Sequence, residues 1–192
     1  GGSFAIGFDS NEGKVVIAYT EPSNFGNHGE CLVGEVSGTG TTFGSAVRFN
    51  SGSTTHQNVV FDSNSNKIVI AFCDNANSGK GTAIVGTVSG NSISFGSETV
   101  FNDASTAFVG AAFDSNLNVI VVTYEDNGNS SQGTFTAGTV SGTSITFNGT
   151  ETVYNADNGN HSVYFQSCSN NTVYAQADAY YGCGLGSGVG GQ

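Results

Sequence analysis

The chain has 192 residues, with 29 glycines, one proline and neither methionine nor tryptophan; glycine, serine, threonine and asparagine make up nearly half of it. Four basic residues against fifteen acidic ones give a net charge of −11, which argues against nucleic acid, whose phosphates need clustered Lys and Arg, and against an anionic membrane surface. No apolar run approaches the roughly 18 residues of a membrane-spanning helix, and the apolar residues fall in regular clusters, which argues against disorder.

The start at Gly1 and the lack of methionine suggest a processed product or a segment of a longer chain. The sequence is a repeat. "GFDSNEGKVVIAY" begins at Gly7, "VFDSNSNKIVIAF" at Val60, "AFDSNLNVIVVTY" at Ala112 and "YFQSCSNNTVYAQ" at Tyr164. Phe8, Phe61, Phe113 and Phe165 are therefore equivalent, at spacings of 53, 52 and 52. A second marker, "VSG", starts at Val36, Val88 and Val140. A fixed period of this length marks a repeat architecture. It makes residues 1–192 a single repeat domain with units of roughly 1–53, 54–105, 106–159 and 160–192.

Each unit reads as four short strands, a to d. In the second unit they are His56 to Asp62, Lys67 to Cys73, Thr82 to Val88 and Ser92 to Phe101. The a–b turn "DSNSN" and the c–d turn Ser89-Gly90-Asn91 carry turn-forming residues. Strand b is apolar almost throughout, so both its faces should be buried, while c and d alternate more. No segment has helical periodicity with a cap and a stop. The fourth unit has a strand a (His161 to Gln166) and a strand b (Thr172 to Asp178), then a glycine-rich tail without strand d. The fold class expected is all-β: a β-propeller-like array of about four four-stranded blades, the last incomplete. The rival is an open stack or sandwich of β-meanders.

The stretch Phe61 to Phe101, with its counterparts from Phe8 and Phe113, resembles the repeats of about 52 residues in predicted tail-fibre and surface proteins of marine phages and bacteria. The resemblance covers nearly the whole chain. It implies an extracellular or virion-surface, propeller-like adhesive or structural part without attached chemistry. The fourth copy departs from the pattern, with Gln166 where the others have Asp9, Asp62 and Asp114. A weaker similarity is to sialidase-type propellers, since "VSGNSISFG" occupies the place of their Asp-box hairpin. Such a site needs an arginine cluster, and Arg48 is the chain's only arginine.

Candidate sites follow from the loops. The turns from Asp62 and Asp114 place oxygen side chains at alternate positions like a calcium loop, but with one carboxylate each they read better as Asx turns; no cofactor and no metal ligand set is expected. Glu21, Asp74, Asp126 and Asp178 follow strand b in the four units. In a closed ring they would form a circle of carboxylates, either as solvated strand ends or around a cation or sugar hydroxyls. Tyr180 and Tyr181 lack matching aromatics in other units and are the best exposed aromatic pair for a glycan. His28, His56 and His161 lack zinc-ligand spacing and read as surface residues. No nucleophile elbow is present. Cys31, Cys73, Cys168 and Cys183 are not in C-x-x-C pairs; Cys31–Cys73 and Cys168–Cys183 bridges are expected in an oxidising compartment, with four free thiols as the alternative.

The function expected is a non-catalytic structural or adhesive subunit of an extracellular fibre. A monomeric glycan- or receptor-binding module is the alternative, and a glycan hydrolase comes last. The principal partner is the chain itself, through a head-to-tail contact of the glycine-rich C-terminal segment with a unit of the next subunit.

Overall fold

The computed structural model describes residues 3–22, 26–156, 162–163 and 177–178. In chain order the strands are β1 (Phe4–Asp9), β2 (Lys14–Thr20), β3 (His28–Ser37), β4 (Gly40–Phe43), β5 (Val47–Asp62), β6 (Lys67–Asp74), β7 (Lys80–Ser89), β8 (Ser92–Phe95), β9 (Thr99–Asp114), β10 (Val119–Asp126), β11 (Gln132–Ser141), β12 (Ser144–Phe147) and β13 (Thr152–Asn155). These thirteen strands form one antiparallel sheet. A separate pair, β14 (Ser162–Val163) and β15 (Ala177–Asp178), follows. The only helical turns among the described residues are two short 3-10 turns, Asn75–Asn77 and Asn127–Asn129.

The tight turns explain the hairpins. The Oδ1 atoms of Asp9, Asp62 and Asp114 each accept from the backbone N–H groups two and three residues on. That is the Asx geometry expected. The β7–β8 hairpin turns at Gly90, whose φ of 58° lies in the left-handed region that glycine enters without a Cβ clash.

Two strands fold the sheet into layers. β5 and β9 are 16 residues long. β5 pairs with β3 as far as Ser53 and with β6 from Thr54. β9 pairs with β7 as far as Ser105 and with β10 from Thr106. Each strand thus leaves one layer and enters the next without a loop. The handover is eased by bulges: the β5–β6 register shifts between Thr55 and Asn58, and the β9–β10 register shifts opposite Thr123 to Glu125. The bulge residues His56 and Phe108, 52 positions apart in the sequence, both have positive φ, 53° and 48°. Their rings meet at 5.2 Å.

The core lies between the layers. Val16, Ala18, Cys31, Val33 and Phe49 of the first layer pack against Ile68, Ile70, Phe72 and Ile84 of the second. Val69, Ala71, Ala83, Val85 and Phe101 of the second pack against Ile120, Val122 and Tyr124 of the third. Alternate residues of β6 thus serve different interfaces, and the strand is buried along nearly its whole length. The face a layer turns to its successor is here its trailing face, and the one it turns to its predecessor its leading face. Trailing faces carry small side chains and one aromatic ring; leading faces carry larger ones that fill the space over them. Phe49 meets Phe72, and Phe101 meets Tyr124, both at 5.2 Å between ring centroids.

The fold is all-β, as expected, and the thirteen-stranded sheet is open among the described residues: the path of paired strands ends at β1 on one side and β12 on the other. Two expectations need correction. The strand expected over Ser92 to Phe101 is two pieces. β8 pairs with the C-terminal half of β7, and the start of β9 pairs with the N-terminal half. The break falls beside Gly96, where the backbone of Thr143 in the next hairpin approaches too closely for a side chain. The Cys31–Cys73 bridge is absent, both thiols being free and buried. The reason is strand alternation. Cys31 lies in the first interlayer core with Phe72, whereas Cys73, the next residue, points to the opposite face of β6. A full layer separates the two. Cys168 and Cys183 lie outside the described residues.

Candidate functional site

Two of the four acidic positions after strand b, Asp74 and Asp126, are used by the fold. Asp74 and Asp126 are buried. Each ends a strand and caps a 3-10 turn: Asp74 Oδ1 accepts from the Ala76 N–H at 3.1 Å, and Asp126 Oδ1 from the Gly128 N–H at 2.9 Å. Asp126 Oδ1 also accepts from Asn102 Nδ2 at 3.2 Å, and the same amide donates to Thr106 Oγ1. This junction ties the second layer to the third. Glu21 is half-buried, with its backbone N–H bonded to the His28 carbonyl. Asp178 is paired with Ser162 across β14–β15. Tyr180 and Tyr181 lie outside the described residues. Among the described residues no group of three or more His, Cys, Asp or Glu side chains is placed to hold a metal ion.

His28 and His56 are not the surface residues expected. His28 is buried, with Nε2 2.9 Å from Glu30 Oε1 and 3.1 Å from Arg48 Nη2. His56 is half-buried against Phe108, and burial holds its pKa below the ordinary value. His161 lies outside the described residues.

The surface that stands out is the leading face of the first layer. Residues directly opposite one another in paired strands share a face, so the register defines three rows across it. Phe4, Tyr19, Glu30 and Arg48 form the first. Ile6, Ile17 and Leu32 form the second. Phe8, Val15, Gly34 and Phe43 form the third, with the Phe43 ring lying over Gly34. Phe4 is 80% exposed, Ile6 65% and Phe8 57%; Val36 and Phe43 are also exposed. A contiguous exposed apolar patch of this kind marks an interaction surface.

The first row is polar at one end. Tyr19 OH donates to Glu30 Oε2 at 3.1 Å, and Arg48 Nη2 stands 3.9 Å from Glu30 Oε1. Burial, followed by the Glu30 hydrogen bond and charge, pushes the Tyr19 phenol up to about 12. The phenol therefore stays protonated as a donor at neutral pH. In the second and third units Thr82 and Thr134 stand where the first has Glu30, so the charged row belongs to the first unit alone.

Reading the loops missed this face. The signal was in the repeat: Phe8, Ile17, Leu32 and Phe43 match Phe61, Ile70, Ile84 and Phe95 position for position. The latter set is packed under the first layer, and the former has no preceding unit among the described residues. No family model matches the chain, and neither the curated proteins nor the solved structures contain a significant match to it.

Proposed function

We propose that this protein is a non-catalytic structural and adhesive subunit of an extracellular, fibre-like assembly, its layers acting as propeller-like blades that continue from one subunit to the next. The observation that carries this reading is the uncovered apolar leading face of the first layer, built from the same residue types that are buried between layers elsewhere. The non-catalytic part draws support from the acidic side chains at the strand ends: Asp74 and Asp126 are engaged by backbone amides rather than directed into a cleft. The resemblance to fibre and surface repeats and the acidic, Gly/Ser/Thr/Asn-rich composition support the extracellular setting.

Electron microscopy and sedimentation of the purified chain test the reading. Regular fibres or concentration-dependent oligomers are the expected result, and a chain that stays monomeric at high concentration refutes it. One observation favours a second reading, a monomeric glycan-binding module. Phe4 and Tyr19 stand beside Glu30 and Arg48 in one row, and aromatic faces next to polar groups suit a sugar ring. Binding to a glycan array by a strictly monomeric chain would select this alternative.

A further inference from the structure

We infer that the leading face of the first layer is a docking surface for a second copy of this chain, which covers it with a trailing sheet face of its own. The inference rests on the assembling-subunit reading and names the contact through which assembly runs. Its first support is internal. Twice within the chain a leading face of large side chains is covered by a trailing face of small ones plus one aromatic ring. The chain therefore already contains both halves of this interface, and among the described residues the first layer presents one half uncovered.

A second support is what the first unit keeps. A repeat that ends a stack is expected to carry polar residues on its outer face, because that face meets water permanently. The first unit instead retains Ile17, Leu32 and Phe43 where the second has Ile70, Ile84 and Phe95. Charge is a third. The chain's only arginine, Arg48, lies on this face with its side chain 53% exposed, while the whole chain carries −11. There it stands against Glu30, so this patch lacks the negative excess of the rest of the chain and two acidic copies repel each other less when they meet here.

The contact is heterologous, since a leading face meets a trailing face. It therefore propagates into a filament, or closes into a ring if the rotation per step allows. Sedimentation velocity of the full chain over a wide concentration range tests it, with three variants beside the wild type. Ile6→Glu and Val36→Lys place charges at two points of the face where the side chains are already exposed. Leu117→Glu charges an equally exposed apolar residue in a turn, 67% exposed, and is the control. Circular dichroism establishes that each is folded, and Val36→Lys carries the test if Ile6→Glu is not. The wild type and Leu117→Glu are expected to grow in mass with concentration, and the folded face variants to remain at monomer mass throughout. Folded face variants that assemble like the wild type overturn the docking face while leaving the subunit reading standing. A wild type that never assembles overturns both.

Discussion

At the scale of single residues, Asp74, Asp126, Cys31 and Cys73, which looked chemically available, are occupied or sealed. Asp126 joins its own capped turn to Asn102 of the preceding layer, so Asp126→Ala removes a cap and strands a buried amide. A loss of about 1–3 kcal/mol is expected. Asp103, whose side chain is 86% exposed where it pairs with Lys80, is the comparison: Asp103→Ala should leave the urea midpoint unchanged. Cys31 and Cys73, the free thiols among the described residues, should resist alkylation in the native protein and react on unfolding, as read by peptide mapping. Burial pushes Cys31 up to about 12 from 9.0. A raised folded pKa means that stability is complete below the unfolded value and is lost as pH climbs from about 9 through about 12. His56 works in the opposite direction. Its pKa is lowered from 6.5 by burial, so its contribution is complete above 6.5 and is lost as pH falls below that value. Thermal melts across pH 5 to 7 should show this dependence reduced in His56→Gln.

At the scale of elements, β6 and β1 are chemically similar strands with opposite surroundings. Ile70 is fully buried between layers, and Ile70→Ala should cost about 2–5 kcal/mol by chemical denaturation. Ile6 on β1 is exposed, and Ile6→Ala should leave the monomer's stability nearly unchanged while weakening assembly. The outer strands depend on glycine as much as on apolar residues. Gly29, Gly81 and Gly133, matched across the three units, lie under Phe49, Phe101 and Tyr154, leaving no room for a Cβ. Gly81→Ala should therefore displace the Phe101 ring from Tyr124 and destabilise the fold by about 1–3 kcal/mol, detectable as a lower melting temperature.

At the scale of the whole molecule, an acidic chain must bring like charges together to stack on itself. Raising the ionic strength from about 0.01 M to about 0.15 M shortens the Debye length from about 30 Å to about 8 Å. The net charge of −11 is then largely screened, while burial of Ile6 and Phe8 is not weakened. Assembly followed by light scattering should increase with salt over this range. A decrease would mean that the ion pairing of Arg48 outweighs both screening of the net charge and apolar burial.

How much of this could be read in advance depends on whether a feature is local. The 52-residue period, the all-β character, the Asx turns at Asp62 and Asp114 and the two-sided burial of β6 follow from short-range chemistry: turn residues and apolar patterning act within a few positions of the chain. Features set by the meeting of distant segments could not be read in this way. The one-residue alternation that puts Cys73 on the far side of a layer from Cys31 depends on the register of β6. The fusion of strands d and a into β5 and β9 depends on bulges at His56 and Phe108, where an aromatic side chain takes a conformation that local preference opposes. The exposure of Phe4, Ile6 and Phe8 is not a property of those positions, whose equivalents are buried (Gln57, Val59, Val109, Ala111) or half-buried (Phe61, Phe113). It arises because burial of a layer's leading face requires a neighbour, and among the described residues no layer covers the first.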